Sequence, residues 1–219
     1  MAIFSRLFGS AKRFEQAVSD YPVFAAPHQG EGYLLLPAQR RENLASFLDL
    51  LPSRIQLLQL TMLELGVELP PPEAASAGSD VSRKLHDFTR STLSKVRGIE
   101  ALCARGWRTR TRAGRDGRVF SFVHDIGIYC GTCATNDPPG FAWAIDDTRY
   151  SESSRMDSAG NVVIFKRIPF EPRAIRRFHD VIGWAVYSVF DEARVAGGKT
   201  IGKVNSFKFL DDHLEGGHG

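Results

Sequence analysis

Seven apolar side chains, Leu44, Leu48, Leu51, Ile55, Leu58, Met62 and Leu65, follow one another at spacings of 4, 3, 4, 3, 4 and 3 residues. Helical geometry brings such positions onto one face, whereas a strand would scatter them over two. The stripe predicts a helix over roughly residues 39–66. Pro52 lies in its middle, where a proline removes one backbone hydrogen bond and presses on the preceding turn. The expected form is a kinked helix, or two helices in near-continuous register. Gly66 and the Pro70-Pro71-Pro72 run close it.

A helix of that length needs a sizeable core to lie on. The 219 residues suit one large domain or two small ones. With 43% hydrophobic and 24% charged residues the chain has an ordinary globular composition, which excludes collagen-like, mucin-like and wholly disordered classes. No apolar run reaches the ~18–20 residues that span a bilayer. Residues 70–80, rich in Pro, Ala and Ser, read as an exposed loop and not as a domain boundary. The ~70 residues before them would be marginal as a separate unit. We therefore expect a single domain over 1–219.

Residues 1–106 read as mostly helical. Ile3, Phe4, Leu7, Phe8, Ala11, Phe14 and Val18 recur at helical spacing, with Arg6, Lys12 and Arg13 on the other face. Such an amphipathic helix suits docking on its own domain or on a partner; contact with a membrane surface would call for more basic residues. No signal-peptide pattern opens the chain. Residues 21–37 form an irregular connection. Ser79 or Asp80 is expected to cap a helix reaching about residue 105, with Val81, Leu85, Phe88, Val96, Ile99 and Cys103 as its stripe and Gly106 as its stop.

The period then changes to two. Trp107, Thr109 and Thr111 alternate with Arg108, Arg110 and Arg112; residues 113–117 read as a turn, and Val119–Val123 as a returning strand. Residues 124–136 fit either a helix or a strand, and the stop at Asp137-Pro-Pro-Gly140 favours the helix. Residues 141–145 and 161–165 read as strands. Glu171-Pro172 is expected to open a final long helix through 196, with Ile175, Phe178, Ile182, Val186, Val189 and Phe190 buried and Gly197-Gly198 ending it. Residues 200–209 could add an edge strand, and the polar, Gly-rich 211–219 reads as a flexible tail. The predicted architecture is α+β: three or four long helices packed on a small, mainly antiparallel sheet.

Chemical motifs are sparse. Ala196-Gly-Gly-Lys-Thr200 ends like a phosphate-binding loop, but Ala193 stands where the first glycine belongs. Gly-x-Ser-x-Gly and His-Glu-x-x-His are both absent from the sequence. Cys130-Gly-Thr-Cys133 could be a redox dithiol or half a zinc site, with Cys103 and His124 as the other ligands. Plain burial explains these cysteines better, because free cysteine is among the most buried residue types. Three cysteines cannot close a disulfide framework, which fits a reducing cytoplasm. No cofactor is expected.

Two constellations stand out. His-Asp occurs three times among only six histidines: His86-Asp87, His124-Asp125 and His179-Asp180. Metal-dependent phosphohydrolases of the HD class use this dipeptide to hold ions that activate water, but those domains are all-helical. The second constellation is basic. From Arg105 to Arg118 there are six arginines and one acid. Arg108, Arg110, Arg112, Arg115 and Arg118 would form a ladder suited to an acidic protein surface or, less well at a net charge of +3, to nucleic acid. A solvated sheet edge protected by its own charge would look the same. Lys166, Arg167, Arg173, Arg176 and Arg177 form a further basic cluster.

Asp125-Ile-Gly-Ile-Tyr-Cys-Gly131, followed by Pro139 and Trp143, resembles a D-x-G-x-Y-x-G segment found in small bacterial proteins, some of them immunity proteins paired with secreted toxins. The pattern has an acidic residue after its second glycine; Thr132 stands here. The resemblance implies an α+β domain and a role in binding another protein, with no catalytic residue to carry over. The expected function is thus a non-catalytic bacterial protein that occludes a toxin or another partner of the secretion-associated kind. A metal-dependent phosphohydrolase and a nucleic-acid-binding protein are the alternatives.

Overall fold

A computed structural model describes residues 9–75, 80–104, 114–136, 141–146, 161–166 and 177–199. Their elements are α1 (Ser10–Ala17), α2 (Pro37–Glu64), α3 (Val81–Ser91), α4 (Ile99–Ala104), α5 (Gly114–Asn136), β1 (Phe141–Ile145), β2 (Val162–Lys166), β3 (Arg177–His179) and α6 (Val181–Ala196). This is an α+β architecture: helices around a three-stranded antiparallel sheet of order β1-β2-β3. Among the described residues, no helix is long and apolar enough to cross a membrane.

The leucine stripe builds α2 as one continuous helix. Pro37 takes the first position, where its missing N–H costs nothing, and the Leu36 N–H donates to Gln39 Oε1. Pro52 lies on the exposed face of the helix, next to exposed Leu48, whose carbonyl loses its N–H donor to the proline ring. The buried face is turned slightly from the expected stripe. Phe47, Arg54 and Thr61, seven residues apart, are buried with Ile55, Leu58 and Met62.

α5 is the centre of the fold. Its residues from Ser121 to Gly131 are all buried, because α2, α6, β1 and the 3-10 turn at Pro72–Ala74 surround it. A helix covered on every side has no polar face. The expected strand over Val119–Val123 is therefore corrected: these residues are the second and third turns of α5. An apolar run buried all round has no amphipathic period by which to tell strand from helix. The expected helix over 124–136 is the rest of the same element.

Two other expectations need correction. The helix expected from about 80 to 105 is α3, a 3-10 turn at Leu93–Lys95, and α4. Val96 is extended and Gly98 has φ 79°, a left-handed conformation that glycine adopts without steric cost. The stripe residues Val81, Leu85, Phe88, Val96, Ile99 and Cys103 are all buried all the same. The last helix starts at Val181 and not near 171. Asp180 caps it, accepting from the Gly183 N–H at 2.8 Å, while Phe178 pairs with Phe165 in the sheet. β1 and β2 occupy the expected strands within one residue, and Gly198, at φ 78°, closes α6 as expected. The expected strands at 107–112 and 200–209, residues 3–8 of the first helix, and the 211–219 tail lie outside the described residues.

α1 docks on its own domain. Phe14 is fully buried, edge-on to Phe122 at 5.0 Å and to Phe88 at 6.3 Å. On the other side of α5, two glycines one turn apart let neighbours approach closely. A β-carbon at Gly127 would lie 2.6 Å from the Ile182 Cα, and one at Gly131 would lie 2.3 Å from the Trp143 ring. Gly131→Ala should therefore destabilise the protein by about 1–3 kcal/mol through overpacking. In a Trp143→Leu background, where that ring is gone, its cost should fall by at least half. Urea unfolding of the four proteins measures the coupling; equal costs in both backgrounds would contradict the contact.

Candidate functional site

A buried polar centre forms around Asp125, at the start of the segment Asp125–Gly131. Asp125 is 0% exposed. It accepts the Tyr21 hydroxyl at 2.6 Å and Arg54 Nε at 3.0 Å, and Arg54 Nη2 lies 2.7 Å from its second oxygen. Arg54 Nη1 donates to the Pro22 carbonyl at 2.8 Å, and the guanidinium lies 5.3 Å above the Tyr21 ring. His124 stacks on Phe24 at 4.2 Å, with Nδ1 3.5 Å from Asp125 Oδ1. The Phe24 N–H donates to Ser121 Oγ. The irregular connection after α1 is thus stitched to α2 and α5 through one charged centre.

The rest of the D-x-G-x-Y-x-G pattern is equally occupied with packing. Gly127 admits α6 and Gly131 admits Trp143. The Tyr129 hydroxyl donates to the Pro70 carbonyl at 2.8 Å, pinning the proline run against α5. The residues that carry the resemblance are therefore the ones that hold α5 in place. No protein-family model, curated protein or solved structure matches the chain.

The three His-Asp pairs occupy three different settings. His86 Nδ1 lies 3.7 Å from the buried Glu192 of α6, and Asp87 is exposed. His124 and Asp125 belong to the buried centre. His179 packs edge-on to Phe141 and Trp184, and Asp180 caps α6. Among the described residues, no group of three or more His, Cys, Asp or Glu side chains could hold a metal ion. Cys103, Cys130 and Cys133 are buried and form no disulfide.

The arginines are distributed differently from the expected hairpin. Arg115 and Arg118 lie in the first turns of α5; Arg108, Arg110 and Arg112 fall outside the described residues, as do Arg167, Arg173 and Arg176. Lys166 and Arg177 face each other in register across β2 and β3. Arg115 Nη2 donates to the Arg97 carbonyl at 3.0 Å and pairs with Glu15 of α1. Ser10 Oγ donates to the Ser91 carbonyl at 2.8 Å. α1, residues 90–98 and residues 114–118 therefore meet at one end of the helices. These stretches carry seven cations, Lys12, Arg13, Arg90, Lys95, Arg97, Arg115 and Arg118, against two carboxylates, Glu15 and Asp116. Arg90, Lys95 and Arg97 are exposed. The sequence signal missed here was Arg54, a lone arginine on the polar side of the leucine stripe, whose buried position depends on Asp125 being opposite it.

Replacing one member of the buried pair, Arg54→Met or Asp125→Asn, should cost about 3–5 kcal/mol. The double replacement Arg54→Met with Asp125→Leu should cost less than either single change, because no charge is then left unmatched. Denaturant midpoints of the three variants measure this; a double cost equal to the sum of the two would contradict it.

Burial pushes the Cys130 thiol well above its ordinary range and the Cys133 thiol up to about 12. Burial also raises the Tyr21 and Tyr129 phenols, with Asp125 adding to the first and Cys133 to the second. In the unfolded chain these groups ionise near ~8.5 for a thiol and ~10 for a phenol. Above those values the folded protein holds more protons than the unfolded one, so stability falls as pH rises, by about 1.4 kcal/mol per pH unit for each ionised group. Urea titrations between about pH 8.5 and 10 should show that decline. A Cys130→Ala/Cys133→Ala variant should show a shallower one, and an unchanged slope would count against buried protonated thiols.

Proposed function

We propose that the chain is a non-catalytic protein that binds an acidic protein partner through the basic end formed by α1, residues 90–98 and the start of α5. The observation that carries this reading is the excess of seven cations over two carboxylates at that end in a chain of net charge +3. Arg90, Lys95, Arg97 and Arg118 have no ion-pair or side-chain hydrogen-bond partner among the described residues, so their charge is available to a ligand. Residues 105–112 lie in sequence between α4 and Gly114, the first residue of α5, and add four more arginines directly before the basic start of α5. A surface of one sign steers an oppositely charged partner and orients it on contact. In its finer form, the reading is of a cytoplasmic bacterial protein that neutralises a toxin or escorts a secretion-associated protein by occluding its surface.

The test is binding to a partner protein recovered from the native cell. Arg97→Ala/Arg118→Ala, and separately Arg108→Ala/Arg110→Ala/Arg112→Ala, should each weaken the complex about tenfold, mainly through slower association, with the difference shrinking at high salt. Unchanged affinity in both variants, or a gel shift of nucleic acid at low salt with no protein complex, would overturn the assignment.

A further inference from the structure

We propose that Glu15 is an internal stand-in for the partner's carboxylate, holding Arg115 in the free protein and giving way when an acidic segment of the partner docks. The inference rests on the reading of the basic end as the binding surface, and it adds a displaceable contact to it. The two carboxylates within these three stretches both engage the same cation: Glu15 pairs with Arg115 Nη2, and Asp116 lies 3.5 Å from Nη1. Both pairs thus fall on Arg115, while Arg90, Lys95, Arg97 and Arg118 form no ion pair among the described residues.

Geometry makes the exchange inexpensive. The side chains of Arg115 and Glu15 are 39% and 36% exposed, so an incoming carboxylate reaches the guanidinium without opening the core. Arg115 keeps its place when Glu15 leaves, because the Arg97 carbonyl holds Nη2 from the other side at 3.0 Å. α1 also stays docked, because its attachment depends on buried Phe14, on Ser10 to the Ser91 carbonyl and on Arg13 to the Glu64 carbonyl. A half-exposed ion pair contributes little to folding, so a partner offering several carboxylates to Arg97, Arg115 and Arg118 together gains more than the single internal contact that it replaces. Arg115 and Arg118 are three residues apart on α5, which places them on one side of the helix.

The experiment uses the full chain and a fluorescently labelled, glutamate-rich helical peptide of about twenty residues, followed by anisotropy at low salt. Glu15→Gln, which keeps shape and removes charge, should tighten binding about two- to fivefold, the scale of an exposed pair. Arg115→Ala should weaken binding, and adding Glu15→Gln to it should then change nothing. Arg115→Lys keeps the charge without the fork, and should fall between wild type and Arg115→Ala. If Glu15→Gln binds like wild type while Arg115→Ala binds more weakly, the displacement is wrong and the acidic-partner surface stands. If no variant binds the peptide, or an RNA oligonucleotide of similar charge binds more tightly, the surface reading itself falls and the displacement with it.

Discussion

The buried ion pair between Arg54 and Asp125 joins three parts of the chain that local sequence cannot bring together. Arg54 comes from the long helix α2, Asp125 from the central helix α5, and Tyr21 and Pro22 from the irregular stretch between α1 and α2. Taking two charges out of water is expensive, and their attraction repays it only when the remaining donors and acceptors are also met. Here most are met: the aspartate accepts from the Tyr21 hydroxyl and from Arg54 Nε, Arg54 Nη1 reaches the Pro22 carbonyl, and Nη2 is left with the ion pair to the carboxylate alone. The cost of leaving either charge alone makes the arrangement specific. Another register of α2 against α5 would bury an unpaired arginine or aspartate.

Around that pair, α5 carries a code for close packing. Asp125 fixes its angular position, Gly127 and Gly131 set how near α6 and Trp143 come, and Tyr129 reaches the carbonyl of Pro70. Residues four apart share a face of a helix, so Asp125 and Tyr129 lie on one side of α5, toward Arg54 and Pro70, and Gly127 and Gly131 on another, toward α6 and Trp143. A pattern of this kind is conspicuous in a sequence because it combines an acid, two glycines and an aromatic, which is also how a catalytic segment looks. Its content here is mechanical. The same holds for the His-Asp pairs: one belongs to the buried centre, one supplies a helix cap, and one packs α3 against α6.

These roles explain what could be read from the sequence and what could not. The helix under the leucine stripe, the strand at 141–145, the strand expected at 161–165 and found one residue later, and the glycine stop after α6 depend on local period or local backbone preference, and the sequence places them closely, although the buried face of the helix is turned from the stripe. Val119–Val123 could not be placed that way, because a helix surrounded on all sides is apolar all round. The start of α6 was obscured by Pro172, a good first residue for a helix that in fact begins nine residues later at Asp180's cap. The break between α3 and α4 hides in Thr92, the one polar residue in an otherwise unbroken stripe. Arg54 was invisible for a different reason: its burial is a long-range consequence of Asp125, 71 residues away, and nothing in its own neighbourhood marks it.

The polar chemistry that is buried is thus committed to holding the helices together, and the charge left over is concentrated at the surface. Asp125 and Arg54 cancel each other inside, and Asp180 is used by a cap. Glu192 faces His86 within the α3–α6 contact. Each internal use of a carboxylate removes one that could have neutralised an arginine outside. A net charge of +3 then hides three adjoining stretches, α1, residues 90–98 and residues 114–118, that carry seven cations and two acids. Self-repulsion among those cations works against the compact state, and α1 reduces it by placing Glu15 against Arg115 while Phe14 anchors the helix. An end that is repulsive in the free protein and only partly neutralised from within gains most from an acidic partner, because docking relieves the repulsion as well as forming new contacts.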